Sequence, residues 1–336
     1  MKVNILQWRY SPFLLLGLGM FGFSSAQAQV LCSASSMTPL TFGNVDPLSS
    51  QTDANATFSM VCRNNSLTET RAATVCLSIG QPRQMTNGSN QLNFQLYKDA
   101  LRTETWGSQF AGDLPSSLQF NITLGPNASN FSVTKTLYGR VLPGQTAVVP
   151  GSYTKSYPAD NNARVTIEAP TNNTTVPNTC NQNPTGSLYF GFTVSATVPK
   201  KCEVTTTGAL KFDSVMSGST PTPASSSTEL INVTCTKGTP YNIGLSPSNG
   251  DMNGLGVMKN SPATDTVPYQ LRSTAGIAGK VWGNTATSTT LGNGVAGIGS
   301  GASKGETVFA TVSNAVANTD VKPDTYSDTV TVHVNY

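Results

Sequence analysis

The side chains best equipped for chemistry are six cysteines: Cys32, Cys62, Cys76, Cys180, Cys202 and Cys235. Their number is even, their spacings are wide and none forms a CxxC pair, which is how a disulfide set reads and not how a metal site or redox couple does. His333 is the single histidine, too isolated in sequence to complete a zinc site. The other catalytic options are equally bare. No HExxH helix or GxxxxGK[ST] loop occurs, and no carboxylate cluster suggests a glycosidase pair. The run 292–301 (GNGVAGIGSG) has glycine spacings like those of nucleotide loops, but no helix follows it, so it is expected to be a flexible loop. Triplets such as Asn55-Ala56-Thr57 and Asn121-Ile122-Thr123 are what chance supplies in so Asn- and Thr-rich a chain, and no glycosylation is read from them. The sequence predicts no enzyme, no metal site and no cofactor.

Composition says what must position the disulfides. Hydrophobic residues make up 38% of the 336, enough for real cores, but only 11% are charged, against roughly 25% in ordinary soluble domains. Few charges together with 30 Gly and 20 Pro disfavour long helices, and the low net charge disfavours solvated disorder. An exported all-β protein fits. Lys2 and Arg9 precede the apolar run 12–23 (PFLLLGLGMFGF), and Ala26-Gln27-Ala28 supplies small residues where a signal peptidase reads. The run is shorter than the ~20 residues needed to span a bilayer. Residues 1–28 are therefore expected to be a signal peptide. Their removal takes the formal charge from +3 to about +1, which disfavours nucleic acid as a partner.

An internal repeat divides the remainder. Cys32 and Cys62 are matched by Cys202 and Cys235, and Leu40-Thr41-Phe42-Gly43 by Leu210-Lys211-Phe212-Asp213. Phe94-Gln95-Leu96-Tyr97 with Trp106-Gly107 is matched by Tyr269-Gln270-Leu271-Arg272 with Trp282-Gly283, and Pro150-Gly151-Ser152-Tyr153 by Pro323-Asp324-Thr325-Tyr326. Order and spacing both survive, which indicates duplication: a domain over 29–199 and a second over 200–336. Six cysteines allow many connectivities; the repeat favours Cys32–Cys62 and Cys202–Cys235, leaving Cys76–Cys180 to the first domain alone. Alternation is clean where Phe190, Phe192, Val194, Ala196 and Val198 face one way, and where Val330, Val332, Val334 and Tyr336 do. Period-2 patterning between Gly, Pro and Asn punctuation predicts sandwiches. The first domain is longer, mostly between Tyr157 and Leu188, where 163–168 (ARVTIE) and Cys180 suggest an extra hairpin or flap held by the third disulfide. Whether the 159–198 region completes the first domain's sheet stays open at this level.

Each half resembles the spore coat protein U domain, the pilin-like domain of archaic chaperone–usher fimbriae. The features that carry this are the paired cysteines, the Tyr-Gln-Leu-Arg…Trp-Gly stretch and the closing strand 324–332 (DTYSDTVTV). The resemblance covers nearly the whole mature chain, and a two-domain member of this size is similar to Csu-type tip adhesins. It implies two immunoglobulin-like, pilin-like sandwiches in tandem, the C-terminal one incomplete and needing a donor strand. The implied partners are a periplasmic pilus chaperone, an outer-membrane usher and an adjacent pilin subunit, with Val330, Val332, Val334 and Tyr336 lining the acceptor edge. The residues agree that an unpaired sheet edge is a template for strand addition. With cleavage near Ala28, only Gln29, Val30 and Leu31 precede Cys32, too few to fill a groove of about ten residues. The chain is thus expected to accept a strand and not donate one, as a fibre-tip subunit would.

The family implies adhesion to hydrophobic or host surfaces through apolar loops. Two stretches qualify by residue type: 142–151 (LPGQTAVVPG), with Leu142, Ala147, Val148 and Val149 between two Pro-Gly turns, and 106–115 (WGSQFAGDLP), with Phe110 and Leu114. Residues 157–159 or 172–177 could supply a third. The corresponding stretches of the second domain, 284–303 and 313–322, carry small or polar residues and only scattered Leu, Val and Ile. One alternative is a glycan-binding tip lectin recruiting Trp106, Asp113 and Tyr153, although Trp106 recurs as Trp282, which favours a structural role. Another is a structural fimbrial or coat subunit with no adhesive site.

Overall fold

The computed structural model describes residues 30–48, 50–110, 115–168, 176, 180, 186–212, 223–225, 230–263, 265–312 and 321–336. The signal peptide, Leu114, Asp113 and all of 172–177 except Val176 lie outside them. All regular structure there is β. The first domain contains β1 (Val30–Met37), β2 (Leu40–Asn44), β3 (Thr52–Asn64), β4 (Arg71–Ile79), β5 (Gln84–Asn87) and β6 (Asn90–Tyr97). It continues with β7 (Leu118–Leu124), β8 (Phe131–Val141), β9 (Gly151–Tyr157), β10 (Ala163–Glu168), β11 (Gly186–Tyr189) and β12 (Phe192–Val198). An eight-stranded sheet in the order β1-β3-β8-β6-β5-β9-β12-β2 packs on a four-stranded sheet in the order β11-β10-β4-β7. The core lies between them, because every second residue of the long strands is apolar: Ala56, Phe58, Met60 and Cys62 of β3 meet Phe192, Val194, Ala196 and Val198 of β12 in one cluster.

The second domain holds β13 (Cys202–Thr206), β14 (Pro223–Ser225), β15 (Ile231–Cys235), β16 (Pro240–Pro247) and β17 (Leu255–Lys259). Then follow β18 (Thr266–Arg272), β19 (Val295–Ile298), β20 (Ser303–Glu306), β21 (Phe309–Val312) and β22 (Val330–Asn335). They pair as β13-β15-β20, β14-β21-β18-β17 and β19-β16-β22 around a separate core that includes Ile231, Tyr241, Ile243, Tyr269, Leu271 and Trp282.

The three disulfides are Cys32–Cys62, Cys76–Cys180 and Cys202–Cys235. Cys32–Cys62 and Cys202–Cys235 each join directly paired residues of the first and third strands of their domain, β1 with β3 and β13 with β15. The Trp-Gly repeats do the same work twice. The Trp106 ring N–H donates to the Leu77 carbonyl at 2.7 Å and that of Trp282 to the Ile243 carbonyl at 2.9 Å, so each buried indole satisfies its polar atom on the fourth strand of its repeat. The glycine that follows is required by space: a Cβ on Gly107 would sit 1.9 Å from the Pro115 carbonyl oxygen, and one on Gly283 2.2 Å from that of Met252.

Two expectations need correction. The glycine-rich run is not a loose loop, since Val295–Ile298 forms β19 against β16 and the Tyr241 ring lies over Gly297. Segment 163–168 does pair antiparallel with the next strand, β11, as a hairpin would, but it is not accessory. It is β10, a core strand whose Ala163, Val165 and Ile167 are fully buried, and it carries the line of β9 across into the second sheet.

Candidate functional site

The repeat places the last strands of the two domains in register and shows where they differ. In the first domain β9 bridges to β5 through Thr86 and Thr154, and β10 then pairs with β4. In the second, Ser327 bridges to Lys259 at the end of β17, and β22 then pairs with β16. Asp324–Asn335 is thus the counterpart of β9 plus β10. The first domain covers the outer edge of that pair: β11 lies antiparallel on β10 and β12 antiparallel on β9, and β12 takes β2 as a parallel neighbour on its far side. Among the described residues of the second domain, β22 pairs with β16 alone.

Burial follows pairing. The inward residues of β10 are sealed, whereas Val330, Val332 and Val334 of β22 are only half-buried against their core, as are Leu210 and Phe212, the counterparts of Leu40 and Phe42 of β2. Tyr336 is exposed. An edge with free N–H and C=O groups beside an apolar furrow is what an incoming β-strand would fill. The strand is held in place at its entry, where the Tyr269 hydroxyl donates to the Asp328 carboxylate at 2.6 Å. Burial pushes that hydroxyl well above the usual tyrosine range, and the adjacent carboxylate reinforces the shift, so it stays a donor. Tyr269→Phe is expected to cost about 1.5–3 kcal/mol, the range for a hydrogen bond to a charged group, measured by urea unfolding.

The loops expected to make contact are not where their composition suggested. Val198 pairs with Gly151, so the loop between β8 and β9 opens toward the domain junction. There a Cβ on Gly301 of the second domain would lie 1.9 Å from the Thr146 carbonyl oxygen, and one on Gly238 would lie 4.0 Å from Val149. Lys201 closes the same junction, with its ammonium 2.5 Å from Asp46 and 2.6 Å from Glu203, carboxylates that keep it protonated far above neutral pH. Val148 is 4% exposed and belongs to the first core. It is therefore a packing residue and not a surface contact. Val149 is half-buried; Leu142 and Ala147 are exposed but lie in this junction loop. Phe110 is half-buried beneath Arg164, whose guanidinium carbon is 4.4 Å from the ring centre.

The lectin alternative loses its platform. Trp106 and Tyr153 are both fully buried, the Tyr153 hydroxyl donating to the Val149 carbonyl. A cleft of about 680 Å³ does open nearby, lined by Lys98, Asp99, Glu104, Gln109, Ser116 and Gln119 among others. Several of its polar groups are already engaged: Lys98 donates to Ser116 and lies 3.6 Å from Glu104, and Asp99 accepts from the Thr103 and Glu104 amides.

Residue types alone did not disclose the end of the first domain remote from the junction. Thr52 pairs with Val141 beside the junction loop, and β3 runs 13 residues from there to Asn64, roughly 40 Å at the usual strand rise. Asn64 is buried and ties two loops together. Its amide donates to the carbonyls of Glu69, Leu124 and Gly125, its side-chain oxygen accepts from the Ser66 amide, and Asn127 donates to the Ser66 carbonyl. This clasp presents Leu67, 77% exposed, with Phe131, 40% exposed, at the strand end beneath it. The signal in the sequence was one leucine between Ser66 and Thr68, where a polar loop has no need of it.

The sequence pattern of the Spore Coat Protein U domain matches residues 20–157 and 188–333. The chain belongs to that family. No curated protein sequence matches it significantly. Among solved structures, the chain is similar to the CsuC–CsuE chaperone–tip adhesion subunit pre-assembly complex from the archaic chaperone–usher Csu pili of Acinetobacter baumannii. That likeness is at 18% identity and TM-score 0.46, covering 91% of this chain and 100% of that one. The CupB6 tip adhesin of Pseudomonas aeruginosa matches at 11% identity and TM-score 0.33, covering 92% and 95%. CfaE, the adhesive subunit of the CFA/I fimbria of enterotoxigenic Escherichia coli, matches at 10% and 0.25, covering 88% and 98%. The family's second match begins at residue 188, so the strand that seals the first domain falls, by sequence, at the head of the second unit.

Proposed function

We propose that this chain is the tip subunit of a chaperone–usher fibre, in which the second domain anchors the subunit and the first makes surface contact. The observation that carries this is the contrast between two equivalent edges: β9 and β10 are covered by β11 and β12, while β22, among the described residues, pairs with β16 alone beside half-buried valines. The second domain accepts a strand, first from a periplasmic chaperone and then, through the usher, from the adjacent pilin. Domain 1 provides its own. It gives the orientation of the guest: antiparallel to Ser327–Asn335, with alternate apolar side chains directed inward as Phe192, Val194, Ala196 and Val198 are. From Val30 on, the chain is already paired within the first sheet, which supports a receiving role over a donating one.

Contact is made by the Asn64-clasped loops at the end remote from the junction, not by 142–151. Burying roughly 100 Å² of exposed leucine and its neighbours at about 25 cal/mol/Å² yields only ~2–3 kcal/mol, so attachment depends on many fibres acting together. Immunogold labelling of intact cells tests the position. Label confined to fibre ends is expected; label along the shaft would make this a structural subunit instead.

A further inference from the structure

We propose that residues 186–198 are a donor strand built into the chain, and that the Cys76–Cys180 disulfide is the latch that keeps the first domain from exchanging it. Three observations meet here. First, β11 and β12 occupy the edge whose counterpart on β22 has no paired strand among the described residues of the second domain, making β-pairs along both β10 and β9. Second, this segment lies, by sequence, mostly within the second family unit, ahead of Cys202, so the first domain is completed by what heads the next repeat. Third, the extra disulfide, which has no counterpart in the second domain, is placed at the strand's start. Cys76 of β4 pairs with Thr166 of β10, and Thr166 pairs with Ser187 of β11, so the three stand in one row across the sheet. Cys180, bonded to Cys76, precedes Gly186 by six positions.

The strand is thereby held at both ends. At its head is the disulfide, whose β4 partner is fully buried. At its foot Val198 runs within three residues into Lys201, which is ion-paired to Asp46 of the first domain and Glu203 of the second. A strand tied at both ends returns to its furrow faster than a free one can compete, because its effective concentration is set by the short tethers. The furrow itself is deep: Phe192 stacks on Tyr157 at 4.9 Å between ring centres, and Phe190 meets Phe58 at 5.4 Å. An unlatched first domain would present a second acceptor furrow to a chaperone or to a neighbouring subunit's strand. The latch leaves the subunit with one.

The test uses the full exported chain, oxidised, against C76S/C180S, by hydrogen–deuterium exchange and by uptake of a labelled peptide with the sequence of residues 186–198. In the variant, amides of 192–198 are expected to exchange at least tenfold faster while those of β3 and β8 keep their protection, and the peptide is expected to cross-link to β9. Unchanged exchange at 192–198, or peptide found only on β22, would overturn the latch. If β3 and β8 also lose protection, C76V/C180S, which refills the buried site, is read by the same two criteria; loss of protection there too would show the disulfide to be a general staple and overturn the proposal. Attachment and fibre assembly do not enter this readout, so its failure leaves the tip reading of the second domain standing, and the reverse.

Discussion

A chain carrying Val332→Asp is expected to fold, to leave the first domain intact and to be lost from fibres. Val332 lies in the middle of β22, paired with Leu245 of β16 and half-buried on the core side. Before a strand arrives, an aspartate there can still reach water through the open furrow. Once a guest strand closes over it, the carboxylate is sealed against apolar side chains without a partner, which costs about 3–5 kcal/mol, or more than 100-fold in strand affinity. Thr331→Asp is the control: it is exposed, faces the other way, and should incorporate normally. Fractionating the periplasm and the fibres separates the outcomes. The Val332→Asp chain should be depleted from chaperone complexes and fibres, and circular dichroism should show its β content retained. Incorporation at the control's level would mean that β22 is not the receiving edge.

Much of this was legible in the sequence because it is local or duplicated. Paired cysteines, the Trp-Gly step and the alternating runs each occur twice, and each depends on a few adjacent residues whose geometry is nearly forced: Gly107 and Gly283 are glycine because a carbonyl occupies the space of a side chain. The disulfide pairing followed from the same duplication. What resisted reading depends on where distant segments meet. Residues 163–168 looked accessory because the strand they continue is interrupted by the turn after Tyr157, and only the pairing of β10 with β4 shows them to be core. Val148 has the composition of an exposed fingertip, yet a loop that packs against a neighbouring domain has the same composition. Only the pairing of Gly151 with Val198 reveals which end of the sandwich it occupies. Leu67 was missed for the opposite reason, as a single apolar residue with no pattern around it.

That exchange of roles between Val148 and Leu67 yields the second large effect. Leu67→Asp should leave stability within about 0.5 kcal/mol of the parent, as surface changes do, and should abolish most attachment to a hydrophobic surface. The side chain is exposed, and the clasp that positions it is made by Asn64, Ser66 and backbone groups that the substitution does not touch. Val148→Ser should do the reverse. It exchanges a buried methyl pair for an unpartnered hydroxyl in the core beside the junction, at a cost of about 1–3 kcal/mol, yet fibres that do assemble should attach as the parent does. Comparing attachment per assembled fibre with the denaturation midpoint for both variants separates contact from packing. Attachment lost in Val148→Ser and kept in Leu67→Asp would return the contact to the loop at 142–151. The expected result places it some 40 Å away along β3, where a 13-residue strand carries it to the end of the first domain remote from the junction.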